Sequence, residues 1–99
     1  MAIVAVSISP VGEGVSVSRF VAAALRVARA ETRVKVRLDA MFTTLEGDLD
    51  VVMAVIRRMQ EAVFEAGAVR VGTVIKIDDR RDRAASMDDK VRGVEDQLR

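Results

Sequence analysis

Cysteine and histidine are both absent from this 99-residue chain, as are tryptophan and tyrosine. Without Cys or His there is no zinc finger, no disulfide framework, no cysteine nucleophile and no Ser-His-Asp triad. An excess of one charge is missing too: 16 Lys and Arg stand against 15 Asp and Glu, for a formal net charge of +1. That balance supplies no general field for drawing in nucleic acid or an anionic membrane. No stretch approaches the ~20 apolar residues of a membrane span, and Met1 to Ser9 lacks the basic flank and long apolar run of a secretion signal. The lack of Cys fits a cytoplasmic location.

What is present can form a core. Hydrophobic residues make up 51% of the chain, mostly Val, Ala, Ile and Leu with three Phe, which argues against disorder. The length suits one domain, residues 1–99.

Residues 2–9 are short, β-branched and almost wholly apolar, the pattern of a central strand covered on both faces. Pro10 ends it, and Gly12 and Gly14 make a flexible connection. Ser16 or Ser18 then offers an N-cap oxygen. Val17, Phe20, Val21, Ala24, Leu25 and Ala28 recur at helical spacing and predict a helix over about 17–31. Residues 33–39 alternate charged and apolar, which predicts a strand with Val34, Val36 and Leu38 inward and Lys35 and Arg37 outward. A tight turn around Asp39–Ala40 leads to a further β-rich run over 41–46. Asp48 or Asp50 can cap a second helix, whose stripe is Val52, Val55, Ile56, Met59 and Val63 and whose C′ residue is Gly67. Residues 69–77 read as the fourth strand. After the all-charged run 78–83, Ser86-Met-Asp-Asp resembles a capping box with Asp in place of Glu. Met87, Val91, Val94 and Leu98 then place a narrow apolar stripe on a C-terminal helix, which must dock on something.

The order β-α-β-β-α-β plus a helix predicts an α+β, ferredoxin-like domain: a four-stranded antiparallel sheet with two helices on one face and an added C-terminal helix. The other face would carry Ile3, Ala5 and Ser7 from the first strand, Phe42, Thr44 and Glu46 from the third, and Gly72, Val74 and Lys76 from the fourth. With Ile3, Phe42 and Val74 it reads as too apolar to leave wet. Either the C-terminal helix folds over it, or a second subunit covers it by sheet stacking or edge pairing, or both. The same element order serves RNA-recognition modules, but those need aromatic residues on the central strands, and neither residues 2–9 nor 69–77 contain one.

Chemistry has few places to sit. Thr43-Thr44-Leu45-Glu46-Gly47 sets hydroxyls beside a carboxylate at a strand end, able to orient a polar ligand or attract a cationic one; a solvated strand end with β-favouring threonines has the same pattern. Ser7 and Ser9 interrupt an apolar strand. The run Asp78 to Arg83 offers arginines for phosphate or carboxylates for a cation, or pairs internally on a solvated loop. Gly12-Glu13-Gly14 lacks the rest of a phosphate-binding fingerprint.

Specific strings go further. Ile8-Ser-Pro-Val-Gly-Glu-Gly, Ala40-Met-Phe-Thr-Thr-Leu-Glu-Gly, Gly67-Ala-Val-Arg-Val, Ile75-Lys-Ile-Asp-Asp-Arg-Arg-Asp and Lys90-Val-Arg-Gly-Val-Glu resemble, in order and across nearly the whole chain, the small YkoF-related thiamine-binding protein family. Ala40 stands where that family has Pro, and Phe42 where a small residue is usual, so Phe42 would narrow an adjoining cavity. The resemblance implies a ferredoxin-like, non-enzymatic binder of thiamine or its hydroxymethylpyrimidine portion, assembled as homodimers that pair into tetramers. It needs no cofactor, metal, nucleic acid or membrane. Position by position it implicates Thr43, Glu46 and Asp78; Ser7 joins them from its own place on the central strand. Thr43 and Glu46 are separated by an odd number of residues, so a regular strand points them to opposite faces. They meet at one ligand only if the strand ends or bulges between them, or if the pocket lies at a subunit boundary. The alternative is a structural or regulatory protein that binds only itself, its cavity closed by Phe42. An enzyme using Glu46 or Asp78 as general base would lack an accompanying nucleophile or metal cluster.

Overall fold

A computed structural model describes residues 1–99. The elements run β1 (Ala2–Pro10), α1 (Ser18–Ala30), β2 (Lys35–Leu38), β3 (Thr43–Gly47), α2 (Leu49–Glu65), β4 (Val71–Asp78) and α3 (Met87–Gln97). The sheet order is β2-β3-β1-β4, with every neighbouring pair antiparallel. This is the ferredoxin-like α+β fold with a C-terminal helix.

Period-two burial along β1 decides which side is inside: Ala2, Val4, Val6 and Ile8 are buried, while the residues between them are half-buried or exposed. The buried set meets Phe20, Ala24 and Ala28 of α1 and Val52, Val55, Ile56, Met59 and Val63 of α2 in one core. These are the helical stripes expected from spacing. Coverage fades toward the β4 edge, where Ile75 and Ile77 face the helix side and remain 37% and 45% exposed.

Local signals account for the ends. Asp48 caps α2, accepting from the Val51 N–H at 3.3 Å. Gly67, at φ +117°, follows the Ala66 C-cap; the Ala68 N–H bonds the Val63 carbonyl and the Gly67 N–H that of Phe64, a Schellman closure. Ser86 and Asp89 form the reciprocal capping box of α3. At α1 the expectation of a serine cap fails: Val17 occupies the N-cap and no side chain closes it. β1 runs on through Pro10, which was expected to end it and instead pairs with Val71, whereas β2 is shorter than the periodicity suggested because turns consume its ends. Arg33 is folded onto Glu31, which accepts from both its backbone and its guanidinium. Between β2 and β3 the Asp39 N–H bonds the Phe42 carbonyl, so β3 starts at Thr43 rather than residue 41.

The open face carries Ile3, Ala5, Ser7, Thr44, Glu46, Val74, Lys76 and Asp78 by alternation, joined by Lys35 and Arg37 of β2; Phe42, expected there, lies instead in the turn before β3. It is more polar than the apolar run 2–9 suggested, because charged residues occupy both flanks. The first turn of α3 lies on it, but every residue from Asp89 onward is exposed.

Candidate functional site

The register separates the four residues singled out from sequence into two groups. Ile3 lies opposite Glu46 on one side and Asp78 on the other, while Lys35 lies opposite Glu46. Lys35, Glu46, Ile3 and Asp78 thus form one row across the open face, and α3 is tied down there. The Met87 N–H donates to Glu46 Oε1 at 2.6 Å. This sets a carboxylate, itself 8% exposed, at the positive end of the helix. Asp88 accepts from Lys35 Nζ at 2.6 Å and from Arg37, and Lys90 Nζ donates to Asp78 Oδ2 at 2.5 Å. These bonds hold the Asp88 and Asp78 carboxyls below the usual range: Lys35 and then Arg37 act on Asp88, and Lys90 acts chiefly on Asp78. Glu46 and Asp78 therefore anchor a helix.

Thr43 and Ser7 lie at the other end of the sheet. β1 runs on to Pro10 against β4, whereas β3 begins at Thr43, opposite Val6. Beyond that point Ser7, Ile8 and Ser9 have no neighbour on the β3 side, and the sheet has a notch. A cavity of about 270 Å³ fills it, lined mainly by apolar residues, with Thr43, Ser7, Ser9 and Asp39 as the polar ones. Phe42, half-buried, forms part of the wall and leaves the cavity open. Thr43 is 6% exposed. β3 pairs regularly from Thr43 to Gly47, so no bulge brings Thr43 and Glu46 to one side, and they do not converge within one chain.

Sequence reading missed Asp39. It appeared only as a turn residue, yet its backbone and side chain shape the turn that ends β2. Its Oδ1 accepts from the Ala40 N–H at 2.8 Å, and it lies on the cavity wall. The available signal was a carboxylate immediately before the Ala40-Met-Phe-Thr string.

The charged run after β4 pairs internally, as one of its two readings required: Arg80 with Asp82 at 2.5 Å and Arg81 with Asp79 at 2.9 Å. It borders a polar depression of about 590 Å³ beside Asp48 and Asp50, away from Thr43. No group of three or more carboxylates stands where a metal ion could be held, and no helix is long and apolar enough to cross a membrane.

Known proteins resemble the chain over nearly its whole length. The UPF0045 protein YqgV of Bacillus subtilis is 41% identical over 102 residues, covering 99% of this chain and 98% of the relative. The UPF0045 protein Mb1933 of Mycobacterium bovis is 45% identical over 94 residues, covering 94% and 90%. The solved structure of MJ1052 from Methanocaldococcus jannaschii superposes with a TM-score of 0.88 at 34% identity, covering 95% of each chain. A Thermotoga maritima protein with a proposed part in thiamine biosynthesis or salvage superposes at 0.79, covering 94% of this chain and 97% of that one; at 18% identity that likeness is one of fold. The family profile described as thiamine-binding protein matches residues 4–95. The chain belongs to the thiamine-binding protein family.

Proposed function

We propose that the protein binds thiamine or its hydroxymethylpyrimidine portion in the notch beside Thr43, without turning it over. The observation that carries this reading is the notch itself. Where β3 is missing, alternate residues of an antiparallel strand turn N–H and C=O toward the absent neighbour. An aminopyrimidine offers donors and acceptors along one edge and can take that neighbour's place, with the Thr43 hydroxyl adding a further partner on the helix side. Ser7, whose side chain points to the open face, contributes its backbone. Apolar walls suit the ring faces, and about 270 Å³ sits just below the roughly 300 Å³ at which small-molecule sites begin. Asp39 supplies an anion for a cationic thiazolium. Glu46 and Asp78 act indirectly, by seating α3.

Titration calorimetry with thiamine and with hydroxymethylpyrimidine tests this. Heat from either, with the ligand recovered unchanged after long incubation, supports the reading; no heat from both, with folded protein, overturns it and leaves a self-associating protein.

Self-association is proposed alongside ligand binding, on a separate observation. On α3, Val91, Val94 and Leu98 are 47%, 62% and 79% exposed and share one helical stripe with the docked Met87. An apolar stripe extending past its own sheet is supported best by a second copy covering it, in a cytoplasmic homodimer able to pair again into a tetramer.

A further inference from the structure

We infer that the preferred ligand is a phosphate monoester of thiamine rather than free thiamine, with the phosphate held by Arg26 and Arg29. This rests on the reading that the notch takes the pyrimidine. The notch does not end at Thr43. Its outer wall of Val17, Val21, Leu25, Leu38 and Asp39 is also the wall of a shallower groove between α1 and the end of β2, and that groove is lined further on by Arg26 and Arg29. Both arginines are exposed. Most other arginines have partners: Arg33 and Arg58 pair with Glu31, Arg37 with Asp88 and Arg57 with Glu61, and Arg19 donates to the Ala66 carbonyl. Arg26 and Arg29 enter no ion pair and no side-chain hydrogen bond.

Three residues apart on a helix, they are surface neighbours, and two guanidinium forks side by side match the oxygens of a phosphate. Arg29 also stands in the last turn of α1, where a cation complements the helix end. That role needs one charge and does not explain why two face the groove. Asp39 is the one acidic residue on the groove wall, and it sits in the stretch shared with the notch. From the notch outward, then, the protein presents neutral donors and acceptors, then an anion, then two cations. A thiamine monophosphate presents a neutral aminopyrimidine, then a cationic thiazolium, then an anionic phosphate, so each group meets its complement. The distance is adequate: from Ser18 to Arg29 the helix runs about 16 Å at 1.5 Å per residue.

The test is calorimetry with thiamine and thiamine monophosphate on the wild type and on R26A/R29A. Both positions are exposed, and Ala is a strong helix former, so the variant is expected to fold, with circular dichroism as the check. The wild type should bind the monophosphate about tenfold more tightly than thiamine, equivalent to about 1.4 kcal/mol, and the gap should narrow as salt is added. R26A/R29A should bring the monophosphate down to the affinity of thiamine and leave thiamine unchanged; R26K/R29K should restore part of the gap. Equal affinities in the wild type, or a gap that survives in R26A/R29A, would overturn the inference while leaving thiamine binding intact. Failure of both ligands to bind would overturn this inference, and would overturn the proposed function with it only if hydroxymethylpyrimidine also gave no heat.

Discussion

At the scale of single residues, strand parity decides what each candidate can do. Thr43 and Glu46 point to opposite faces because three steps along a regular strand reverse the side chain, and the pairing of β3 with β1 confirms that nothing interrupts the alternation. Much of this was legible in advance. Hidden from the sequence was the employment of Glu46, because its partner, the Met87 N–H, lies 41 residues away. Of the two, the proposed function assigns ligand contact to Thr43, and Thr43→Val tests it while conserving shape. Its thiamine affinity should fall by roughly three- to tenfold, the worth of one hydrogen bond at about 1 kcal/mol. An unchanged calorimetric Kd would remove Thr43 from the site. Phe42 shows the converse case: its bulk suggested a closed cavity, but the Asp39–Phe42 turn places the ring in the wall, where it serves as an apolar face.

At the scale of elements, α3 divides into a docked first turn and a free remainder. Its capping box was readable from four residues, Ser86 to Asp89, since capping is local chemistry. Its docking needed a carboxylate from β3 and cations from β2. Glu46→Ala removes the buried acceptor at the helix start and should cost about 1.5–3 kcal/mol, the range for hydrogen bonds to charged groups. Amides of Met87 to Val91 should then exchange faster, with those of β1 unchanged; equal exchange in both proteins would deny Glu46 this role. Acid should act on the same joint. Asp88 and Asp78 have folded-state pKa values below their ordinary ones. Their ion pairs therefore contribute fully above the unfolded value of about 3.9 and are lost as pH falls through the lower folded values. Amide exchange followed against pH, corrected for its intrinsic pH dependence, should show α3 protection steady near neutrality and falling below about pH 4. Protection that weakens instead as pH rises from 5 to 8 would have the wrong sign.

For the molecule as a whole, shape carries the argument. The radius of gyration is 14.5 Å, against roughly 13 Å for a compact chain of 100 residues, and the longest extent is 43 Å. The excess fits the exposed length of α3. A helix extending from its own fold with Val91, Val94 and Leu98 uncovered predicts association. Light scattering should report a species heavier than the 10.8 kDa chain, and V94D/L98D should return it to that mass, because both positions are exposed and need no repacking in the monomer. A wild type that already measures 10.8 kDa would end the proposal of self-association.

Periodicity, caps and turn residues act over a few neighbours, and for that reason the sequence by itself determined the element order, the inward face of each helix and strand, and the ferredoxin-like topology. Tertiary structure decided where β3 stops relative to β1, and with it the notch. It also decided that Glu46 and Asp78 secure a helix and that Asp39, Arg26 and Arg29 share one groove. Each of these depends on register and contact between segments far apart in the chain, which no local pattern encodes.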